Sequence, residues 1–104
     1  MVIDRKTKQE IEIDFLRAIN QAEELENIAD SLSQIANLHV DNAVKVLKKG
    51  WKGENANEYI KRGGELTDDI YETAENLLKI AKSIRTTADI VYKAEKAAAN
   101  CCLM

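Results

Sequence analysis

Apolar residues recur every seven positions in two long stretches of this chain, which meet at the break Trp51-Lys52-Gly53. Each stretch pairs a column of large side chains with a column of alanines, in the alternating spacing of three and four residues that is typical of a helical seam. The first stretch contains the columns Ala22, Ala29, Ala36, Ala43 (preceded by Phe15) and Ala18, Leu25, Leu32, His39, Val46. The second contains Ile70, Leu77, Ile84, Val91 and Ala74, Ala81, Ala88. The pattern predicts an all-α fold, an antiparallel two-helix hairpin whose alanine columns allow close approach.

Capping residues and glycines predict where these helices begin and end. We expect one domain over 1–104, with an N-terminal extension at 1–13, helix 1 at about 14–48, a turn at 49–54, helix 2 at about 55–98 and a tail at 99–104. The alternation from Ile11 to Ile13 suggests an extended segment before an N-cap at Asp14, while Thr7-x-x-Glu10 is a competing capping box. Gly50 is the expected left-handed residue after helix 1.

A lone hairpin leaves apolar residues beside the seam uncovered. On the first helix these residues form a predicted dimer face: Ile19, Ile28, Ile35, Val40 and Leu47. Leu66, Leu78 and Ile80 are their counterparts on the second helix. We expect a second hairpin to cover them in a four-helix bundle, the alternative being that they broaden the seam within one chain. Gly63-Gly64, unfavourable inside a helix, suggests a kink or a close helix approach.

Composition and charge narrow the range of functions. The 104 residues include no proline and carry a formal net charge of −3, with a pI near 5.2. The broad basic face of a nucleic-acid-binding protein is therefore not expected. The first residues lack the apolar core of a secretory signal peptide, and no apolar run reaches the length of a membrane span. A lone His39 in a seam column and scattered carboxylates offer no catalytic, metal, cofactor or small-molecule site. We therefore expect a non-enzymatic protein.

The stretch Trp51-Lys52-Gly53-Glu54-Asn55-Ala56-Asn57-Glu58-Tyr59, between two heptad helices in a chain of this length, resembles the WXG (ESAT-like) family. The beginning and the end of the helical region are also similar to those of that family: Ile11-Glu12-Ile13-Asp14 and Ile90-Val91-Tyr92-Lys93-Ala94-Glu95. The resemblance therefore covers about residues 11–99. It implies a homo- or heterodimer exported from the cytoplasm of Gram-positive or mycobacterial cells by a type VII (ESX or Ess) system, then secreted or held at the cell surface. The partner would be a related helical protein or the N-terminal helical domain of a secreted toxin.

The same resemblance implies a turn motif at Trp51 and Gly53 and an export signal, read by the secretion ATPase, at Tyr92 and Glu95. The chain departs from the family's Tyr-x-x-x-Asp/Glu signal, because Lys96 stands four residues after Tyr92. In the family, a partner chain can supply the missing half. On the predicted helix limits, residues after Ala88 extend beyond helix 1, and we expect them to project as a tail.

The ending Cys101-Cys102-Leu103-Met104 supports an alternative of another class. It fits a prenylation box, which would make the chain an intracellular, membrane-anchored coiled-coil adaptor. The preceding residues are only weakly basic, whereas a single lipid chain usually needs a polybasic companion. Thiols that stay reduced, or that cross-link two chains after export, are the plainer interpretation.

Overall fold

The fold consists of two helical arms joined by a short turn. In the computed structural model, which describes residues 6–101, the first arm comprises α1 (Lys8–Gln34), a π-helical segment (Ile35–Val40) and α2 (Asp41–Gly50), and the second arm is α3 (Glu54–Cys101). None of the described residues forms a strand, so the prediction of an all-α chain with two helices is confirmed. Residues 1–5 and 102–104, including Cys102 and most of the prenylation box, lie outside the described residues.

The first arm begins earlier than expected. Glu10 N–H donates to Thr7 Oγ1 at 3.1 Å, and the Thr7 hydroxyl lies 3.3 Å from the Glu10 carboxylate. These bonds cap a helix that starts at Lys8, as the capping-box alternative predicts. The N-cap at Asp14 and the extended segment from Ile11 to Ile13 are therefore wrong. Ile11 is buried and Ile13 is exposed, which is how a helix distributes residues two positions apart.

The turn depends on a different glycine from the one predicted. α2 runs through Gly50, and Trp51 follows in an extended conformation with its N–H donating to Leu47 O at 3.0 Å. Gly53 alone among the described residues has a positive φ, +123°, which favours glycine. Its carbonyl accepts from Asn57 N–H at 3.0 Å and so starts α3. The expected left-handed Gly50 is wrong, and Gly53 carries that role.

The chain divides into two compact units. The terminal unit combines residues up to 25 with those from 79 onward, and the turn unit spans 26–78. The buried side chains are small: Ile11, Ala22 and Ala81 in the terminal unit, and Ala29, Ala36, Val44, Ala56 and Ala74 in the turn unit. No large side chain among the described residues is fully buried. Each unit therefore has a thin interior made mainly of alanines.

The π-helical segment interrupts the heptad register of the first arm. The Asp41 N–H donates to Ala36 O, five residues back, so this turn contains one residue more than an α-helical turn. The Asn42 side chain also donates to Leu38 O at 2.6 Å. One extra residue rotates every later side chain relative to the seam. The seven-residue spacing that holds from Ala22 to Ala36 therefore cannot continue beyond this point.

The predicted seam is accordingly wrong after Ala36. The residues expected there, His39, Ala43 and Val46, are exposed. Their places are taken by the residues one position later: Val44 is buried, and Val40 and Leu47 are half-buried. Two members of the predicted dimer face, Val40 and Leu47, thus continue the seam of the hairpin itself.

Gly63 permits a close approach between the arms in the turn unit. A Cβ built at Gly63 would lie 2.3 Å from Val44 Cγ2, well inside van der Waals contact, whereas one built at Gly64 would meet nothing within 4 Å. Close packing against Val44 therefore explains why position 63 is a glycine, whereas no contact in this unit requires a glycine at position 64. The expectation of a close helix approach is confirmed at the first of the two glycines.

Candidate functional site

A largely apolar groove lies in the terminal unit between the start of α1 and the second half of α3. Its volume is about 560 Å³, and its walls include Phe15, Ile84 and Val91, with the small Ala18 and Ala88 between them. The alanines leave space that larger residues would fill. A groove of this composition can accept apolar side chains from another polypeptide.

Charged residues form part of the lining of this groove. Lys6 Nζ lies 2.8 Å from Asp14 and 3.1 Å from Glu95, so one ammonium joins the two arms. Hydrogen bonding to Asp14 first, and to Glu95 second, raises the pKa of Lys6, and the Lys6 hydrogen bond lowers the pKa of Asp14. The second Glu95 oxygen, Oε2, is buried and has no hydrogen-bond partner. The Lys6–Glu95 ion pair therefore links the two arms beside the groove.

Tyr92 joins the arms on the same unit. Its ring packs on Phe15 with centroids 4.6 Å apart, and its hydroxyl donates to Glu12, which also pairs with Lys96 at 3.1 Å. The Tyr92 hydrogen bond, followed by that from Lys96, lowers the pKa of Glu12, and Glu12 in turn raises the pKa of Lys96. These contacts cluster the charges around one half-buried aromatic ring.

The expectation that residues after Ala88 project as a tail is wrong as far as Lys96. α1 begins at Lys8, so it is long enough to pack against Tyr92 and to bring Lys6 to Glu95. The two residues assigned to the export signal thus lie half-buried against the first arm. The error follows directly from the late start predicted for helix 1.

The Trp-x-Gly turn forms a second candidate site, in the turn unit. Trp51 is 42% exposed and Tyr59 is 57% exposed, and their rings pack with centroids 5.4 Å apart and an interplanar angle of 31°. Gly53 supplies the positive φ that starts α3 within reach of Trp51. The turn therefore presents an aromatic pair at the surface rather than burying a tryptophan in the core.

The predicted dimer face is partly exposed. Ile28 and Ile35, at 50% and 44% exposure, lie seven residues apart on one flank of the turn unit, while Ile19 is half-buried in the terminal unit. Leu66 and Leu78 are each 49% exposed on α3. Leu38, Val46 and Tyr59 are exposed apolar residues that the sequence pattern did not predict. The frame shift at the π-helical segment explains Val46, which the uninterrupted heptad places in the seam.

Residues 6–101 were compared with the requirements of a metal site and of a membrane-spanning helix. No group of three or more His, Cys, Asp and Glu side chains in that range could hold a metal ion. None of the described helices is both long and apolar enough to span a bilayer. His39 and Cys101 are exposed.

Comparison with known proteins gives no relative on which to rest a function. No protein-family model, curated protein or solved structure matches this chain. The groove of the terminal unit and the Trp-x-Gly turn are therefore the features from which a function can be inferred.

Proposed function

We propose that this chain is a non-enzymatic protein of a type VII secretion system that acts by pairing with another helical hairpin. It would be exported itself, or it would target its partner for export. The location of Trp51-Lys52-Gly53 supports the proposal, because the motif forms the turn between two helical arms, where the resemblance to WXG proteins requires it. The protein would be cytoplasmic before export and secreted or held at the cell surface afterwards.

One observation carries the pairing part of this proposal: the interior is too small for the apolar surface that surrounds it. The buried apolar residues are six alanines, one isoleucine and one valine. Fourteen large apolar or aromatic side chains in residues 6–101 are at least 41% exposed. Burying apolar surface stabilises a fold by about 25 cal/mol per Å², and alanines contribute little of it. A second hairpin would supply the missing burial in each unit.

The proposed assembly is a four-helix bundle, either a homodimer or a heterodimer. Ile28 and Ile35 provide a flank in the turn unit, and the groove beside Phe15 provides an acceptor in the terminal unit. Packing of further helices against such stripes is the usual way in which bundles complete a core. The proposed partners are a related small helical protein or the N-terminal helical domain of a larger secreted toxin. Nucleic acid and small-molecule substrates have no place in the proposal.

Light scattering after size exclusion tests the assembly. We expect a dimer, or a monomer that forms a complex when its cognate hairpin is added. Ile28→Lys with Ile35→Lys should abolish that association while the helix content is retained. Asn27→Lys with Ser31→Lys adds the same charge at exposed polar positions of α1 and should leave association intact. Equal loss in both double variants would show that charge, not the apolar flank, causes the effect.

Export is the second part of the proposal and needs its own test. If the secretion ATPase reads Tyr92 and Glu95, Tyr92→Ala and Glu95→Gln should each reduce the amount of protein in culture supernatants. Phe15→Ala is the matched control, because it breaks the same aromatic pair from the other arm and leaves both signal residues intact. Equal loss of export in Tyr92→Ala and Phe15→Ala would indicate that packing of the terminal unit, not a signal, is required.

A further inference from the structure

The charge of the turn unit is divided sharply along the chain. Residues 45–62, which contain the turn, carry six Lys or Arg and two Glu, a net charge of +4 in a chain of −3 overall. The segments on either side within this unit, 26–44 and 63–78, carry eight acidic residues and no Lys or Arg. The basic charge is therefore confined to the turn and the helix ends that it joins.

Several of these cations have no ion-pair partner within residues 6–101. Lys45 pairs with Asp41 and Arg62 pairs with Glu58, each one helical turn apart. Among the described residues, no carboxylate lies within 4.0 Å of the ammonium groups of Lys48, Lys49 or Lys52. All three lysines are exposed, and they bracket Trp51 in the sequence.

The aromatic pair stands in the middle of this basic segment. Trp51 and Tyr59 are both more than one third exposed. Val46, at 69% exposure, adds an aliphatic side chain to the same end of α2. Tryptophan and tyrosine combine an apolar ring with a polar group, which is why they concentrate at the boundary between lipid headgroups and acyl chains.

We infer that the turn, with Trp51, Tyr59 and the lysines 48, 49 and 52, is a docking surface for an anionic phospholipid membrane. Clustered lysines are attracted to anionic headgroups, and the two rings would enter the headgroup layer beside them. The acidic segments that flank the turn are repelled by the same headgroups, so the turn would contact the membrane while the rest of the turn unit stays away. This inference goes beyond the proposed pairing role and needs no partner chain. The contact is peripheral and requires no spanning helix.

Trp51 provides the probe, because it is the only tryptophan in the chain. The experiment titrates the full-length protein with vesicles of phosphatidylcholine mixed with phosphatidylserine, and with vesicles of phosphatidylcholine alone. We expect a blue shift of Trp51 emission and co-sedimentation with the mixed vesicles only, both reversed by salt. The combined variant Lys48→Gln, Lys49→Gln, Lys52→Gln should lower the apparent partition coefficient about a hundredfold.

A charge-matched variant distinguishes the turn from net charge. Lys8→Gln, Lys82→Gln, Lys93→Gln removes three exposed lysines of the terminal unit and should change partitioning less than about threefold. Circular dichroism checks that both variants keep their helix content. Equal binding to both kinds of vesicle, equal loss in both triple variants, or co-sedimentation without a shift in Trp51 emission would each overturn the inference. Binding to poly-glutamate with no binding to mixed vesicles would also overturn it, in favour of an acidic polypeptide partner.

Discussion

Replacing each of the two adjacent glycines of α3 by alanine should have different effects on stability. Alanine is favoured over glycine inside a helix by about 1 kcal/mol, so Gly64→Ala, whose added methyl group meets nothing within 4 Å, should stabilise the protein by about that amount. Gly63→Ala gains the same helix propensity. Its methyl group, however, would lie 2.3 Å from Val44 Cγ2, where carbon atoms prefer about 3.5 to 4.0 Å.

The cost of that overlap decides how far the stability of Gly63→Ala falls below that of Gly64→Ala. Val44 is only 9% exposed, and a β-branched side chain has a single strongly preferred rotamer in a helix, so it cannot simply turn aside. Overpacking of this kind costs about 1 to 3 kcal/mol. We therefore expect Gly63→Ala to be about 1 to 3 kcal/mol less stable than Gly64→Ala, since the propensity gain is common to both.

Urea unfolding followed by far-UV circular dichroism, at one protein concentration, measures the difference. Val44→Ala removes the obstructing methyl groups, and in that background the two glycine substitutions should become equally stabilising. A double-mutant cycle of Val44 with Gly63 should therefore show coupling, and one of Val44 with Gly64 should not. Equal stability of the two single variants, or a difference that persists in the Val44→Ala background, would refute the close approach.

Two further predictions concern the candidate sites. Tyr92→Phe should raise the lowered pKa of Glu12 towards its ordinary value of 4.5, measured by carboxyl NMR titration, while the pKa of Asp14, which is set by Lys6, stays unchanged. Because the folded pKa of Glu12 is depressed, its contribution to stability is present above pH 4.5 and is lost as the pH falls through the folded value, so Tyr92→Phe should weaken the acid dependence of unfolding. Trp51→Ala should cost about 0.5 to 1.5 kcal/mol, the worth of an aromatic pair, and a loss of 3 kcal/mol or more would show a core role instead.

The parts of the fold that follow from local chemistry were predictable. The column Ala22, Ala29 and Ala36 is buried as the heptad indicates, and the break at Trp51 is the turn. The start of the first arm could have been predicted from the capping box of Thr7 and Glu10, but the alternation from Ile11 onward suggested an extended segment. Since periodicity over three residues is weak, the capping chemistry was the better guide.

The candidate sites were less predictable, because they depend on register and on contacts between the arms. The polar His39 at a predicted seam position, followed directly by the apolar Val40, was the available signal that the heptad register shifts there. The pairing of Lys6 with Glu95 could not be found from sequence spacing, since it depends on where both arms begin and end. Trp51 was recognisable as a turn residue, but its partner Tyr59 follows only from the geometry of the turn.

The π-helical segment makes the length of the first arm adjustable at one point. Elsewhere in the arm, losing a residue would rotate everything that follows away from the seam. Within Ile35–Val40, removing exposed Asn37 would turn the π-helical turn into an α-helical one and would place the buried Ala36 and Val44 seven residues apart. A gene one codon shorter here would therefore encode the same hairpin with an uninterrupted heptad. The present chain has the geometry of a one-residue insertion that the first arm accommodates while keeping its seam.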